Sequence, residues 1–125
     1  MKYLGVDFGL RRIGLAISEG ELASPWQILE VKNFTEAVEK TSKVIKEERF
    51  KKVVVGLPEG KMGKNVIGFV AALKRRGFEV ETFEETLSSK KALAVMIEQG
   101  IQQKKRRYED AYSAAGILQN YLDSL

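Results

Sequence analysis

The sequence predicts an α/β fold: a mixed five-stranded sheet, an antiparallel meander followed by β-α units, flanked by helices in a single domain spanning residues 1–125. Three observations predict it. The first ~30 residues alternate apolar and polar positions with period two. The middle carries a continuous apolar run of strand length, "VVVGLP". Segments of helical period then separate the later strands.

The elements follow in order. In "YLGVDF", Leu4, Val6 and Phe8 fall on one face, and Ile13, Leu15 and Ile17 alternate again. Gly9 to Arg12 is the natural turn between these strands, making a hairpin. Glu19-Gly20-Glu21 marks a second turn, and Trp26 to Val31, after Pro25, reads as a third strand. The period then becomes helical: Phe34, Ala37, Val38, Thr41, Val44 and Ile45 form a stripe, and Asn33 with Glu36 resembles a capping pair. Val53 to Pro58 has the unbroken apolar character of a buried, often parallel, strand. Glu59 to Lys64 reads as a Gly/Lys loop, and a helix from about Asn65 stops at Gly77. Phe78 to Phe83 reads as a short strand and Ser88 to about Gly100 as a helix. In the last helix Ala111, Ala114, Ala115, Leu118, Tyr121 and Leu122 make one apolar stripe.

Composition narrows the chemistry. Of the 125 residues, 44% are hydrophobic and 30% charged, which is globular usage. No apolar run approaches the ~20 residues of a membrane span, and no signal-peptide pattern opens the chain, so a cytoplasmic protein with no membrane partner is expected. Cysteine and histidine are both absent. That excludes disulfides, thiol nucleophiles, Ser-His-Asp triads, and zinc held by Cys or His. Polar catalysis would fall to carboxylates and lysines with a hard, oxygen-bound metal. The net charge of +4 is compatible with a nucleic-acid partner.

Three carboxylates sit at the ends of elements that should pack together. Asp7 ends the first strand, Glu84 and Glu85 follow the last strand, and Asp110 opens the last helix. Taken singly, each has an ordinary explanation: a turn former, a solvated pair, an acid favoured by the helix dipole. Taken together they form a candidate cation site, because clustered acids repel unless a cation lies among them. Two divalent ions about 3.5–4 Å apart in such a cluster are a known device for phosphodiester hydrolysis, and they require no histidine. The pattern leaves open whether Glu84 or Glu85 is the third acid.

Four blocks carry a family likeness: "GVDFGLRRIGLAIS" (5–18), "VVVGLP" (53–58) with Gly63 beyond it, "EETLSS" (84–89) and "EDAYSAAGIL" (109–118). In this order they resemble the YqgF/RuvX family of Holliday-junction resolvases and pre-16S rRNA nucleases. The resemblance covers nearly the whole chain. It implies an RNase H-like fold and a carboxylate site for Mg²⁺ or Mn²⁺, one or two ions. The family's acids fall on Asp7, Glu85 and Asp110. Two positions depart from the pattern: Thr86 stands where the family commonly has arginine, and Glu84 where it commonly has aspartate. The missing arginine removes a forked phosphate donor, a role open to Arg11 or Arg12.

The remaining motifs suit a polyanion. Gly9 lets backbone N–H groups approach a phosphate, or simply makes a tight turn. Arg11, Arg12, Lys61 and Lys64 are candidate backbone contacts, as is the run Lys104-Lys105-Arg106-Arg107 just before Asp110. "GLPEGK" misses the P-loop spacing, and Asp7-Phe8-Gly9 lacks a companion kinase catalytic loop. The expected activity is a metal-dependent nuclease processing the 5′ end of precursor 16S rRNA, as a monomer or weak homodimer. Its rivals are a four-way DNA junction resolvase, which two-fold symmetry would make a dimer, a nucleic-acid-binding module with an inactive site, and a phosphotransferase of the actin/sugar-kinase kind.

Overall fold

The computed structural model describes residues 2–58, 62–84 and 109–125. Five strands form one sheet: β1 (Tyr3–Asp7), β2 (Arg12–Ser18), β3 (Ala23–Glu30), β4 (Lys52–Leu57) and β5 (Val80–Glu84). Their spatial order is β3-β2-β1-β4-β5. β1 pairs antiparallel with β2 and parallel with β4; β2–β3 is antiparallel and β4–β5 parallel. The expected mixed sheet is therefore present, with β1 at its centre. Three helices accompany it: α1 (Phe34–Glu48), α2 (Met62–Arg75) and α3 (Glu109–Asp123). The helix expected over 88–100 lies outside the described residues.

The period-two alternation sorts the sheet into two faces. Leu4, Val6, Ile13, Leu15, Val53 and Val55 point to one side, where they pack with Phe69 and Leu73 of α2 and Ala37, Val38 and Ile45 of α1. Phe8, just beyond β1, lies on the Phe69 ring with centroids 4.6 Å apart. The other side presents Ala16 and Val54 to Ala114, Ile117, Leu118 and Tyr121 of α3. Each strand of the pair buried on both faces reads as a nearly continuous apolar run, as burial on both sides requires.

Local signals set most boundaries. Asn33 Oδ1 accepts the Glu36 N–H at 2.8 Å and caps α1. Gly77, at φ +91°, ends the α2 turn as expected of a left-handed terminator. Two starts differ from expectation. β3 begins at Ala23, so Pro25 lies inside a strand; it pairs opposite Ala16, at the register shift between Leu15 and Ala16. An edge strand with a bulge tolerates a residue that has no N–H to donate. α2 begins at Met62, so Lys64 belongs to a helix and not to the expected loop. The N–H groups of the first helical turn find no acceptor within the helix, and Gly63 lies in that turn, away from the helix interior.

Candidate metal and phosphate site

The register of β1 and β2 builds the site. Asp7, the last residue of β1, stands opposite Gly14 of β2. Side chains of paired residues share a face, and Gly5, Asp7, Gly14 and Ala16 all belong to the α3 side by alternation. α3 comes down on this surface at its N-terminus. A Cβ built on Gly14 would lie 2.0 Å from the Asp110 carbonyl oxygen and 2.8 Å from the Ala111 nitrogen. A Cβ on Gly5 would lie 2.7 Å from the Leu118 Cβ. Two glycines thus let a helix backbone rest directly on the strands, and the first of them sets Asp110 beside the residue that faces Asp7.

Arg12 completes this corner. It opens β2 on the same face as Gly14, and its Nε lies 3.5 Å from Asp110 Oδ2. Both side chains are partly exposed, so the pair contributes no more than about 1 kcal/mol in water. Its interest is local. A cation already sits against the Asp110 carboxylate, and the donors on this face, Asp7 and Asp110, are hard oxygens suited to Mg²⁺ or Mn²⁺. By donor chemistry these two carboxylates suit a divalent ion.

The other expected residues fall as follows. Gly9 makes the hairpin turn tight: a Cβ there would meet the Arg12 carbonyl oxygen at 2.5 Å. Arg11 is exposed in that turn, and its carbonyl oxygen accepts the Val31 N–H at 2.9 Å. Lys64 is exposed in the first turn of α2, which follows the same end of the sheet through β4. Glu85, Lys61, Lys104, Lys105, Arg106 and Arg107 lie outside the described residues. Among the described residues, no group of three or more acidic, His or Cys side chains gathers to hold a metal.

Glu84, left open by the sequence alone, can be assigned a face. It pairs with Leu57 of β4, whose side chain packs against the α1/α2 core. Glu84 is therefore on the side of the sheet away from α3, Asp7 and Asp110. Phe83, one residue earlier, packs on the α3 side.

Sequence reasoning missed two residues here. Gly14 looked like an ordinary strand position; only its contact with the Asp110 backbone gives it a role. Lys32 was not singled out by the sequence. The Val31–Arg11 hydrogen bond brings its segment beside the hairpin turn. Gly14 falls in the family-like block 5–18, which was its one sequence signal; none marks Lys32.

At the far end of α3 a second polar group ties the helix down. Tyr121 donates its O–H to Glu81 Oε2, and Lys52 Nζ lies 3.3 Å from both the Tyr121 hydroxyl and the Glu81 carboxylate. The Tyr121 hydrogen bond, helped by Lys52, holds the Glu81 carboxyl below its ordinary range. Burial, with the Glu81 carboxylate beside it, raises the Tyr121 phenol. The Tyr121 hydroxyl and Glu81 together raise Lys52. Edge-on contacts of Tyr121 with Tyr3 and Phe83 complete the clamp.

The family model described as "RuvX: Holliday junction resolvase" matches residues 1–124. The chain belongs to the RuvX family. RuvX-family membership makes it a nuclease, and its relatives agree in kind. A protein of Acetivibrio thermocellus named "Putative pre-16S rRNA nuclease" is 36% identical, covering 99% of this chain and 96% of the relative. One of the same name from Chlorobaculum tepidum is also 36% identical, over 98% and 94%. The structure of Thermus thermophilus RuvC in complex with a Holliday junction superposes with a TM-score of 0.62 at 18% identity, covering 99% of this chain and 96% of that one. This likeness shows that this RuvX-family chain has the RNase H-like fold. Among its described residues no helix is long and apolar enough to cross a membrane.

Proposed function

We propose that this chain is a metal-dependent nuclease of the cytoplasm that trims precursor 16S rRNA, with Asp7, Glu85 and Asp110 as the carboxylates of its site. The observation that carries this reading is the contact of Gly14 with the Asp110 backbone, directly opposite Asp7. The close approach sets the Asp110 backbone against the strand that pairs with Asp7. Glu84 lies on the other face of the sheet, which favours Glu85 as the third acid. The names of the 36%-identical relatives support RNA as substrate.

When bound, one or two Mg²⁺ or Mn²⁺ ions would supply Lewis-acid stabilisation of the charge that develops on the phosphodiester. The chain's own residues do the rest. Asp7 and Asp110 provide oxygen donors held on rigid backbone. Arg12 balances the Asp110 carboxylate, and it is close enough to donate to a phosphate placed there. Arg11, Lys64 and the run Lys104–Arg107 hold the nucleic-acid backbone as point charges, while the tight Gly9 turn brings main chain close to it. The chain is proposed to work as a monomer or weak homodimer.

The test sets labelled precursor rRNA beside a labelled four-way DNA junction, with wild type and Asp7→Asn, in Mg²⁺ and in Mn²⁺. Cleavage of RNA by wild type, lost in Asp7→Asn with the fold intact by circular dichroism, is the expected result. Cleavage of the junction alone would move the function to recombination, which the family description favours. Binding without cleavage of either would leave a binding module.

A further inference from the structure

Three of the five large hydrophobic residues exposed among the described residues are Leu10, Phe34 and Ile67. Isolated exposed apolar side chains are ordinary, but these are linked to one corner of the molecule. Leu10 is in the tight turn beside Arg11. The Val31–Arg11 hydrogen bond joins that turn to the segment leading through Lys32 into Phe34. Phe34 in turn reaches over α2, where a Cβ on Gly68, the neighbour of Ile67, would lie 3.9 Å from its Cζ.

Beside Phe34 is a groove of about 270 Å³ between α1 and α2, lined by Phe34, Thr35, Val38, Ala72, Arg75 and Arg76. Its floor, Val38 and Ala72, is buried and apolar; one wall is an aromatic ring that is 44% exposed. Arg76 is tied to Glu39. Arg75 makes no ion pair among the described residues, so its guanidinium is available to an anion. An aromatic ring with an arginine at its edge suits a flat heterocycle carrying a phosphate. Lys32, which also lies near the Glu36 carboxylate, and Arg11 stand in the segments between this groove and the end of the sheet that carries Asp7 and Asp110 on its other, α3 face.

We propose that the Phe34 groove binds an unpaired base of the substrate strand. The base stacks on Phe34, Arg75 takes the phosphate beside it, and Lys32 and Arg11 guide the strand to the carboxylates. This deepens the nuclease reading and rests on it: it makes the enzyme select substrates with single-stranded nucleotides flanking the cut.

The experiment uses the full chain without divalent metal, so that binding is read without cleavage. Its ligands are an RNA duplex with a single-stranded overhang, scanned with 2-aminopurine, and a blunt duplex of equal length. Wild type should change the fluorescence at one overhang position. Phe34→Ala should abolish that change and weaken overhang binding about tenfold, leaving the blunt duplex unaffected. Phe34→Trp should restore both, which a mere loss of folding would not allow. Arg75→Gln should weaken overhang binding a few-fold and flatten its salt dependence. Equal binding of the two duplexes by wild type, or an unchanged Phe34→Ala, would overturn the groove while leaving the nuclease reading intact. No binding of any nucleic acid would remove both. Should wild type be a dimer in solution that Phe34→Ala dissociates, the groove is instead a contact between copies and the proposal falls.

Discussion

On the α1/α2 side, the sheet meets its helices through Leu4, Val6, Ile13, Leu15, Val53 and Val55, with Phe69 filling the space between. On the α3 side it meets its helix through Gly5, Gly14 and Ala16, with Ala114 opposite. The first layer is wide and filled by branched and aromatic side chains, the usual way to bury area. In the second, small residues bring backbone onto backbone. That gives up apolar area and fixes position to within a fraction of an ångström. Both faces bury apolar side chains, but close backbone approach marks only the second, and the proposed site lies on that face.

The strongest way to break this division is Gly14→Ala. The added Cβ would fall 2.0 Å from a carbonyl oxygen that belongs to a helix and cannot swing aside. α3 must lift. Overpacking of this kind costs about 1–3 kcal/mol. A displacement of Asp110 by an ångström should also lower cleavage by about 100-fold. Urea denaturation and single-turnover cleavage of the RNA would read the two effects separately. Activity that stays at the wild-type level would mean that the α3 contact does not serve the site.

Phe69→Ala probes the other face. Phe69 is fully buried, so the truncation should cost about 3–5 kcal/mol. The fraction that remains folded should cleave at the wild-type rate. A rate that fell with stability would show that the two faces are not independent.

The clamp at Tyr121 sharpens the comparison with a smaller effect. Glu81 titrates below its ordinary value in the folded chain, chiefly through the Tyr121 hydrogen bond. Its contribution is therefore complete above the unfolded-state value and is lost as pH falls through the folded one, below about pH 4. Lys52 and Tyr121 titrate above their ordinary values. Their contribution is complete below about pH 10 and is lost as pH rises beyond it. Stability should be flat between these limits. Glu81→Gln should flatten the acid limb slightly, the effect being reduced by the partial exposure of Glu81. Denaturation midpoints measured across pH would check this; an acid limb unchanged by Glu81→Gln would show that the clamp is not coupled to folding.

Much of this architecture was legible in the sequence. Alternation at Leu4-Val6-Phe8 and Ile13-Leu15-Ile17 marked the hairpin and its buried face. Asn33 and Gly77 marked helix ends through their own local chemistry. The β3 start was not legible, because Pro25 reads as a strand breaker until its edge position and the bulge beside it are known. Asp7 and Asp110 stood out as acids at element ends. The docking of the Asp110 backbone on the strand beside Asp7 did not, because it depends on the absence of a Cβ at Gly14 and on a register that joins residues far apart in sequence. The resemblance favoured Glu85 over Glu84; the pairing with Leu57 fixes the face of Glu84 alone. The cation at Asp110 was expected to face substrate; that it also balances a carboxylate is a matter of three-dimensional neighbourhood.

The docking of α3 on the first hairpin has a consequence for biosynthesis. Its contacts join the two extremes of the described chain; the bond from the Ala23 N–H to Gln119, for instance, spans 96 residues. Asp7 emerges early from the ribosome and Asp110 late, and among the described residues the helix that covers the glycine-lined face of the sheet arrives only with the second. A nascent chain can therefore assemble the α1/α2 layer while lacking one of the carboxylates of its site. On the proposed site, nucleolytic competence would come last, by closure of a loop nearly as long as the chain.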